Sequence, residues 1–477
     1  MLIKANDFDA TVVGSGPNGL AAAIELARNG LKTVVIEAEE TAGGGARSAQ
    51  LTLPGFIHDT GSAVHPMALA SPFFKSLPLT EYGLNWIVPP VALAHPFDDG
   101  TAALLSESID DTAGTLGKDG AAYKKLMAPI AADWDLLAGD LLGDMRSSGS
   151  PLTLLKFGIR ALASARDMVQ TYFQDERAAG FFAGLCAHSV IPLEQVPSAA
   201  IGLVLCAAGH KPGWPVPAGG AGNLAKALCG YLNSLGGKLE TGHRVTSIAD
   251  TPRSDVIFFD TSPQQLADIG EGTLPAGYIK SLRQYRYGPG VFKLDWALSG
   301  PIPWKATACN EAGTVHLGGS FTEIAVSERA AWEGRITSRP FVLLSQPSLF
   351  DASRAPAGSH TAWAYCHVPG GCNYDMTNYI EAQVERFAPG FRELIRGRYK
   401  STPACLEAAN ANLIGGDIVG GAQTLKQLFC RPVCRMAPYR TPIANIYICS
   451  ASTPPGAGVH GMCGYHAASS YLKQRRR

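Results

Sequence analysis

Apolar positions near the start of the chain change rhythm twice within thirty residues. Phe8 to Val13 is a nearly unbroken apolar run, which predicts a buried strand. Leu20, Ala23, Ile24 and Ala27 then recur at three- and four-residue intervals, the spacing of one helical face, and Gly30 supplies a left-handed stop. Thr33 to Ile36 is a second apolar run, ending on Glu37. The helical spacing returns at Leu224, Ala227, Leu228 and Leu232 and is closed by Gly236 and Gly237. Residues 119–212 read mainly as helix, including the apolar stretch from Pro151 to Phe173 in which Lys156, Arg160 and Arg166 are embedded. Further on, Asn445 to Thr453 reads as a short buried strand, and a helix follows Gly461.

Strand, turn, helix and strand make a βαβ unit, and Gly14, Gly16 and Gly19 occupy its first turn in the spacing GxGxxG. In such a unit Gly14 makes the turn, Gly16 lets a pyrophosphate approach the backbone, and Gly19 lets helix and strand pack closely. The helix start offers unpaired N–H groups and a positive dipole end to the phosphates. Glu37, 23 positions after Gly14, stands where a carboxylate accepts both ribose hydroxyls of an adenosine and repels a 2′-phosphate. Gly43, Gly44, Gly45 and Arg47 follow at once, a second backbone cradle with a cation, which FAD needs and a bare NAD domain does not.

A second GxGxxG, at Gly456, Gly458 and Gly461, is followed by neither an acid nor another strand, so it does not open a second nucleotide domain. It is expected to complete the first site from the other end of the chain.

The set Glu37, Gly44, Gly45 and Arg47 resembles that of the two-dinucleotide-binding-domain flavoproteins, among them amine oxidases and phytoene desaturases. Residues 287–304, 313–324, 354–371 and 438–453 are similar to one branch of the phytoene dehydrogenase-related oxidoreductases, and the likeness covers essentially the whole chain. It implies an α/β, Rossmann-like FAD domain made of residues 1–72, 215–280 and 436–477. Residues 73–214 and 281–435 would form a mixed substrate-facing domain that includes the helical insert. It further implies FAD contacts from Ala38 beside Glu37, from Gly61 and Ser62 after Asp59, and from the Val245 backbone at the adenine. Gly458, Val459, His460 and Met462 would admit the ribityl and pyrimidine end, with the helix start stabilising charge on the reduced flavin. Nine residues separate Val245 from Asp255, too few for the longer strand meander of many carotenoid desaturases.

Composition narrows the classes. Lys plus Arg (40) balances Asp plus Glu (40), which leaves no electrostatic footprint for nucleic acid. The 11 cysteines include no CxxC pair, which points to reduced thiols and a cytoplasmic setting. Cys366, His367 and Cys372 match no common zinc spacing, so no metal is expected. No apolar run is long enough to span a membrane, and only a few residues precede the first strand, so neither an anchor nor a cleaved signal is expected. The Pro151–Phe173 stretch carries two readings, a core-packed helix or a surface that dips into a membrane.

The expected activity is FAD-dependent dehydrogenation, desaturation or isomerisation of an apolar small molecule of polyene, isoprenoid or lipid-like kind. The alternatives are an amine-oxidase-like flavin oxidase and a non-catalytic, membrane-associated FAD-binding factor. No acid or base stands out; His188, His316 and His460 are the candidates for proton transfer. No GxSxG elbow supports a hydrolase.

Overall fold

The computed structural model describes residues 7–143 and 149–476. Within them β1 (Phe8–Val13), α1 (Pro17–Arg28) and β2 (Thr33–Ile36) form where the apolar rhythm places them. Pro17 opens α1 where a missing N–H costs nothing. Leu20 to Ile24 are buried between the sheet and the terminal helix Met462–Arg475. A five-stranded parallel sheet runs in the order Ile446–Ile448, Ser254–Phe259, β1, β2, Lys238–Glu240. All but the edge strand Lys238–Glu240, which is charged and largely exposed, are short and mainly apolar because helices cover the faces of a parallel sheet. The strand read over Asn445–Thr453 shortens to Ile446–Ile448, since from Ser450 onward the chain turns under the cavity and its backbone leaves the ladder.

A second sheet of seven strands is built from Ile395–Ser401, Gly290–Leu298, His360–Val368, Val342–Ser345, Ala312–Leu317, Val91–Pro96 and Ala102–Leu105. All neighbours are antiparallel except Ala312–Leu317 against Val91–Pro96. Its second strand, Gly290–Leu298, is buried along its whole length, yet it carries Lys293 and Asp295 on one face. A helical layer covers this sheet. The stretch Pro151–Phe173 is two helices, Pro151–Ala161 and Ala165–Tyr172, because Ser164 caps the second by accepting the Asp167 N–H at 3.1 Å.

The final helix closes the molecule by docking on α1. A Cβ at Gly464 would overlap the carbonyl oxygen of Asn18, so only glycine permits this approach. Arg477, the last residue of the basic tail, lies outside the described residues. Among those described, no helix is long and apolar enough to cross a membrane.

Candidate active site

One long cavity of about 480 Å³ lies between the two sheets. At one end β1 delivers Gly14 and Gly16, β2 delivers Glu37 and Ala38, and Val245 closes the wall. Glu37 is held in place from three sides: Oε2 accepts the Ser15 N–H at 2.9 Å and its hydroxyl, and Oε1 accepts the Glu39 N–H at 2.9 Å. Gly16 provides no side-chain cap at the start of α1, where Asp260 Oδ2 accepts the Gly19 N–H at 2.8 Å. Gly19 stands off the wall, as a packing glycine should: a Cβ there would overlap the Gly14 carbonyl.

The next part of the wall is the Gly44–Arg47 loop. A Cβ at Gly44 would lie 2.9 Å from the Gly16 Cα, so the two glycine loops touch backbone to backbone. Arg47 lines the cavity, fixed through Nε to the Gly44 carbonyl (2.9 Å) and through a terminal nitrogen to Ala409 (2.7 Å). Gly61 packs onto the Gly45 carbonyl, which also accepts the Ser62 N–H at 2.9 Å. Asp59, just before, is a junction. Its carboxylate takes Ser48 Oγ (2.7 Å), the Ala221 N–H (2.8 Å) and Arg354 (2.5 Å), and its carbonyl takes Lys293 Nζ at 3.0 Å. Lys293 is paired in turn with Asp295. Through this buried, charge-balanced cluster the second sheet is bolted to the cofactor loops.

Gly458 and Val459 line the far part of the cavity, whereas His460 and Met462 lie behind its wall. Gly461, the residue before the last helix, abuts Phe74 and Ala21, so that helix starts against the core and not at the cavity. The charge nearest this loop is instead the buried guanidinium of Arg431, against which Gly456 packs and which donates to the Ala451 carbonyl at 3.2 Å. His460 is a buried core residue: Nδ1 accepts the Met462 N–H at 3.0 Å, its carbonyl accepts Ser71 Oγ at 2.7 Å, its Nε2 is left without a hydrogen-bond partner, and burial lowers its pKa to about 4.

Beyond the loops the cavity turns apolar, with Val64, Leu205, Trp214, Val291, Leu343, Trp363 and Tyr365 on its walls. Trp363 and Tyr365 stand parallel, 6.0 Å between ring centres and 1° between planes. His188 lines this end and His316 does not, but the two meet Nε2 to Nε2 at 3.0 Å. Burial pushes His188 down to about 3, helped by nearby His367, and pushes His316 well below the ordinary range. Both are neutral imidazoles at physiological pH. His367 is backed by Glu328, 2.7 Å from its Nδ1. Two residues past His188, Val190 adopts φ +54°, and among the described residues it is the one non-glycine with positive φ. A β-branched residue there stores backbone strain at the cavity wall.

Sequence reasoning missed Asp260, Lys293, Arg431 and the Trp363–Tyr365 pair. A signal existed for two of them: Lys293 lies two positions before Asp295 inside an otherwise apolar run, and Asp260 closes the run VIFF. Such charges at buried positions are paired or functional.

A glycine-turned βαβ unit, a second glycine loop with its arginine and a cavity running on into an apolar chamber define an FAD-dependent oxidoreductase. The chain belongs to the flavin containing amine oxidoreductase family, whose model matches residues 18–268. It is 27% identical to pyridine nucleotide-disulfide oxidoreductase domain-containing protein 2 of Rattus norvegicus, over 97% of this chain and 93% of that protein. It is 25% identical to the lycopene-forming phytoene desaturase of Pseudescherichia vulneris, over 97% of this chain and 98% of the relative. An oxidoreductase structure from Methanosarcina mazei shares the fold, with a TM-score of 0.67, 16% identity and coverage of 98% and 100% of the two chains.

Proposed function

We propose that this flavoenzyme removes or rearranges hydrogen on an apolar, unsaturated small molecule of isoprenoid or lipid-like kind. The observation that carries this reading is the distribution of charge along the cavity. Among the described residues its carboxylates, Glu37, Glu39 and Asp260, sit at the nucleotide end, and the one cation lining the apolar end, Lys293, is neutralised by Asp295. That end offers hydrocarbon and aromatic walls, the chemistry that holds an apolar chain and gives an ammonium group no counter-charge. The phytoene desaturase among the relatives is in keeping with such a substrate.

FAD supplies the hydride acceptor for such a reaction. The chain's part is to exclude water and to align the substrate between the aromatic pair and the strained Val190 segment. His188 is assigned a positioning role there: it lines the apolar wall with its Nε2 3.0 Å from His316 Nε2, and burial leaves it too weak a base to draw a proton from carbon. Contact with a membrane surface is supported by the helix Pro151–Ala161. Leu152, Leu155, Ile159 and, just beyond, Leu162 expose 63, 60, 71 and 51% of their surface beside Lys156 and Arg160.

A second reading, an amine-oxidase-like flavin oxidase, is favoured by the parallel Trp363 and Tyr365 rings, which suit a group laid along them. Anaerobic mixing separates the two. Bleaching of the flavin absorbance by a polyene or isoprenoid delivered in detergent, and none by primary or secondary amines, is the expected result. Bleaching by amines alone overturns the proposal.

A further inference from the structure

All three glycines of the N-terminal turn are wrapped around one residue. A Cβ at Gly14 would lie 2.9 Å from the Asp260 carbonyl oxygen, one at Gly16 would lie 2.7 Å from Asp260 Oδ2, and one at Gly19 would lie 3.0 Å from the same oxygen. Asp260 follows the strand Ser254–Phe259, beside β1, and its N–H donates to the Val13 carbonyl at 2.8 Å. Its Oδ2 accepts the Gly19 N–H at 2.8 Å, so a carboxyl group already holds one of the first-turn donors of α1. The residue is 7% exposed, and what is exposed lies on the cavity wall. A dinucleotide whose diphosphate sits at the start of α1 therefore brings two negative charges against this carboxyl group.

Two charged phosphates and a buried carboxylate in one cradle repel strongly, and a group so placed resolves the conflict by taking a proton. We propose that Asp260 is a cofactor-binding residue. As the neutral acid it keeps Oδ2 on Gly19 and donates its O–H from the other oxygen to a phosphate oxygen of FAD, taking one proton from solvent for each dinucleotide bound. The inference rests on the reading of this cavity as an FAD site.

The environment agrees. Burial lifts the Asp260 pKa to about 7, opposed by the Gly19 N–H and reinforced by Glu37, and an added phosphate charge raises it further. The titratable groups around it are few. Glu37 faces it from the end of β2, Cys449 from the end of the strand Ile446–Ile448 and Cys463 from the last helix. Burial raises both thiols, Cys463 to about 11, so they keep their protons through the neutral range. Asn412, which donates to the Asp260 carbonyl at 3.0 Å, does not titrate.

The test is calorimetric titration of the apoprotein with FAD in buffers of different ionisation enthalpy, which counts protons taken up per FAD. Near pH 8 the wild type is expected to take up close to one proton, and near pH 6, where free Asp260 is already protonated, close to none. Between these limits the affinity should fall toward tenfold per pH unit as pH rises. Asp260→Asn, a neutral donor of the same shape, should bind FAD with no proton uptake and a flat pH profile. ADP should reproduce the wild-type uptake and adenosine should not. Tight FAD binding without uptake near pH 8 overturns the role of Asp260, as does uptake that persists in Asp260→Asn. The wild-type count stands even if that variant does not fold. A folded apoprotein that binds neither FAD nor ADP overturns the FAD reading of the cavity itself, which is a separate result.

Discussion

Gly464 sits against the carbonyl oxygen of Asn18 so closely that a methyl group in place of its hydrogen would overlap it. The contact joins the last helix to the turn that opens the FAD site. Removal of residues 450–477 is therefore expected to abolish flavin binding although β1, α1 and β2 remain. Gly464→Leu should do much the same by lifting the helix away, lowering FAD affinity by well over tenfold. Fluorescence of released FAD on denaturation reads both; a soluble truncated chain that binds FAD as the wild type does would falsify the assignment of the Gly456–Gly461 loop.

His188 is expected to matter for rate more than for folding. His188→Gln should lower turnover by up to about 10²-fold, the worth of a displaced substrate, with little change in FAD affinity. His316→Gln, one bond further from the cavity at 3.0 Å, should cost less. Equal losses in the two variants together with loss of flavin would assign both residues to packing instead.

Acid should unfold the protein early. Burial holds His188 near 3 and His65, His95 and His460 near 4, each below the ordinary histidine value of 6.5. Each folded-state pKa is lowered, so the unfolded chain binds more protons between those values and 6.5. The stability from keeping these rings neutral is complete above 6.5 and is lost as pH falls toward 4. Each group contributes up to about 1.4 kcal/mol per pH unit across that window. Thermal unfolding between about pH 7 and pH 4.5 measures it: a melting temperature that holds steady across the range would show that these histidines are not buried neutral.

Reduced nicotinamides are expected to be poor donors. The Gly14 turn is committed to FAD, and the Gly456 loop leads into a helix that packs on Phe74 and Ala21 rather than into a second nucleotide fold. Anaerobic stopped-flow mixing with NADH and NADPH should bleach the flavin slowly or not at all; saturable bleaching within each turnover would revive a nicotinamide-dependent reductase.

The elements with local signals are legible in the sequence. β1, α1 and β2 announce themselves through apolar period and glycine placement, because neighbours in sequence decide them. Glu37, Gly44, Gly45, Arg47, Gly61 and Val245 line the cavity as a family pattern implies. The late loop was half legible: Gly458 and Val459 reach the cavity, but whether the following helix points at it depends on Phe74, nearly four hundred positions away. The same holds for Asp59, Lys293 and Arg354, whose pairing crosses more than two hundred residues, and for Asp260, whose meaning depends on Gly19. Pairing at such separations is fixed by topology, which no local pattern encodes.

Gly14 and Gly458 stand on the same cavity about 440 residues apart. On the ribosome, then, the nucleotide turn emerges about 440 residues ahead of the loop that shares its cavity. The edge strand Ile446–Ile448 and the helix that locks onto α1 follow every other strand of the two sheets. Until those residues clear the exit tunnel, the nascent chain is expected to hold the flavin weakly. Cofactor loading would thus report that this strand and helix are in place: a product that stops short of them is expected to be colourless and to leave the α1 surface uncovered.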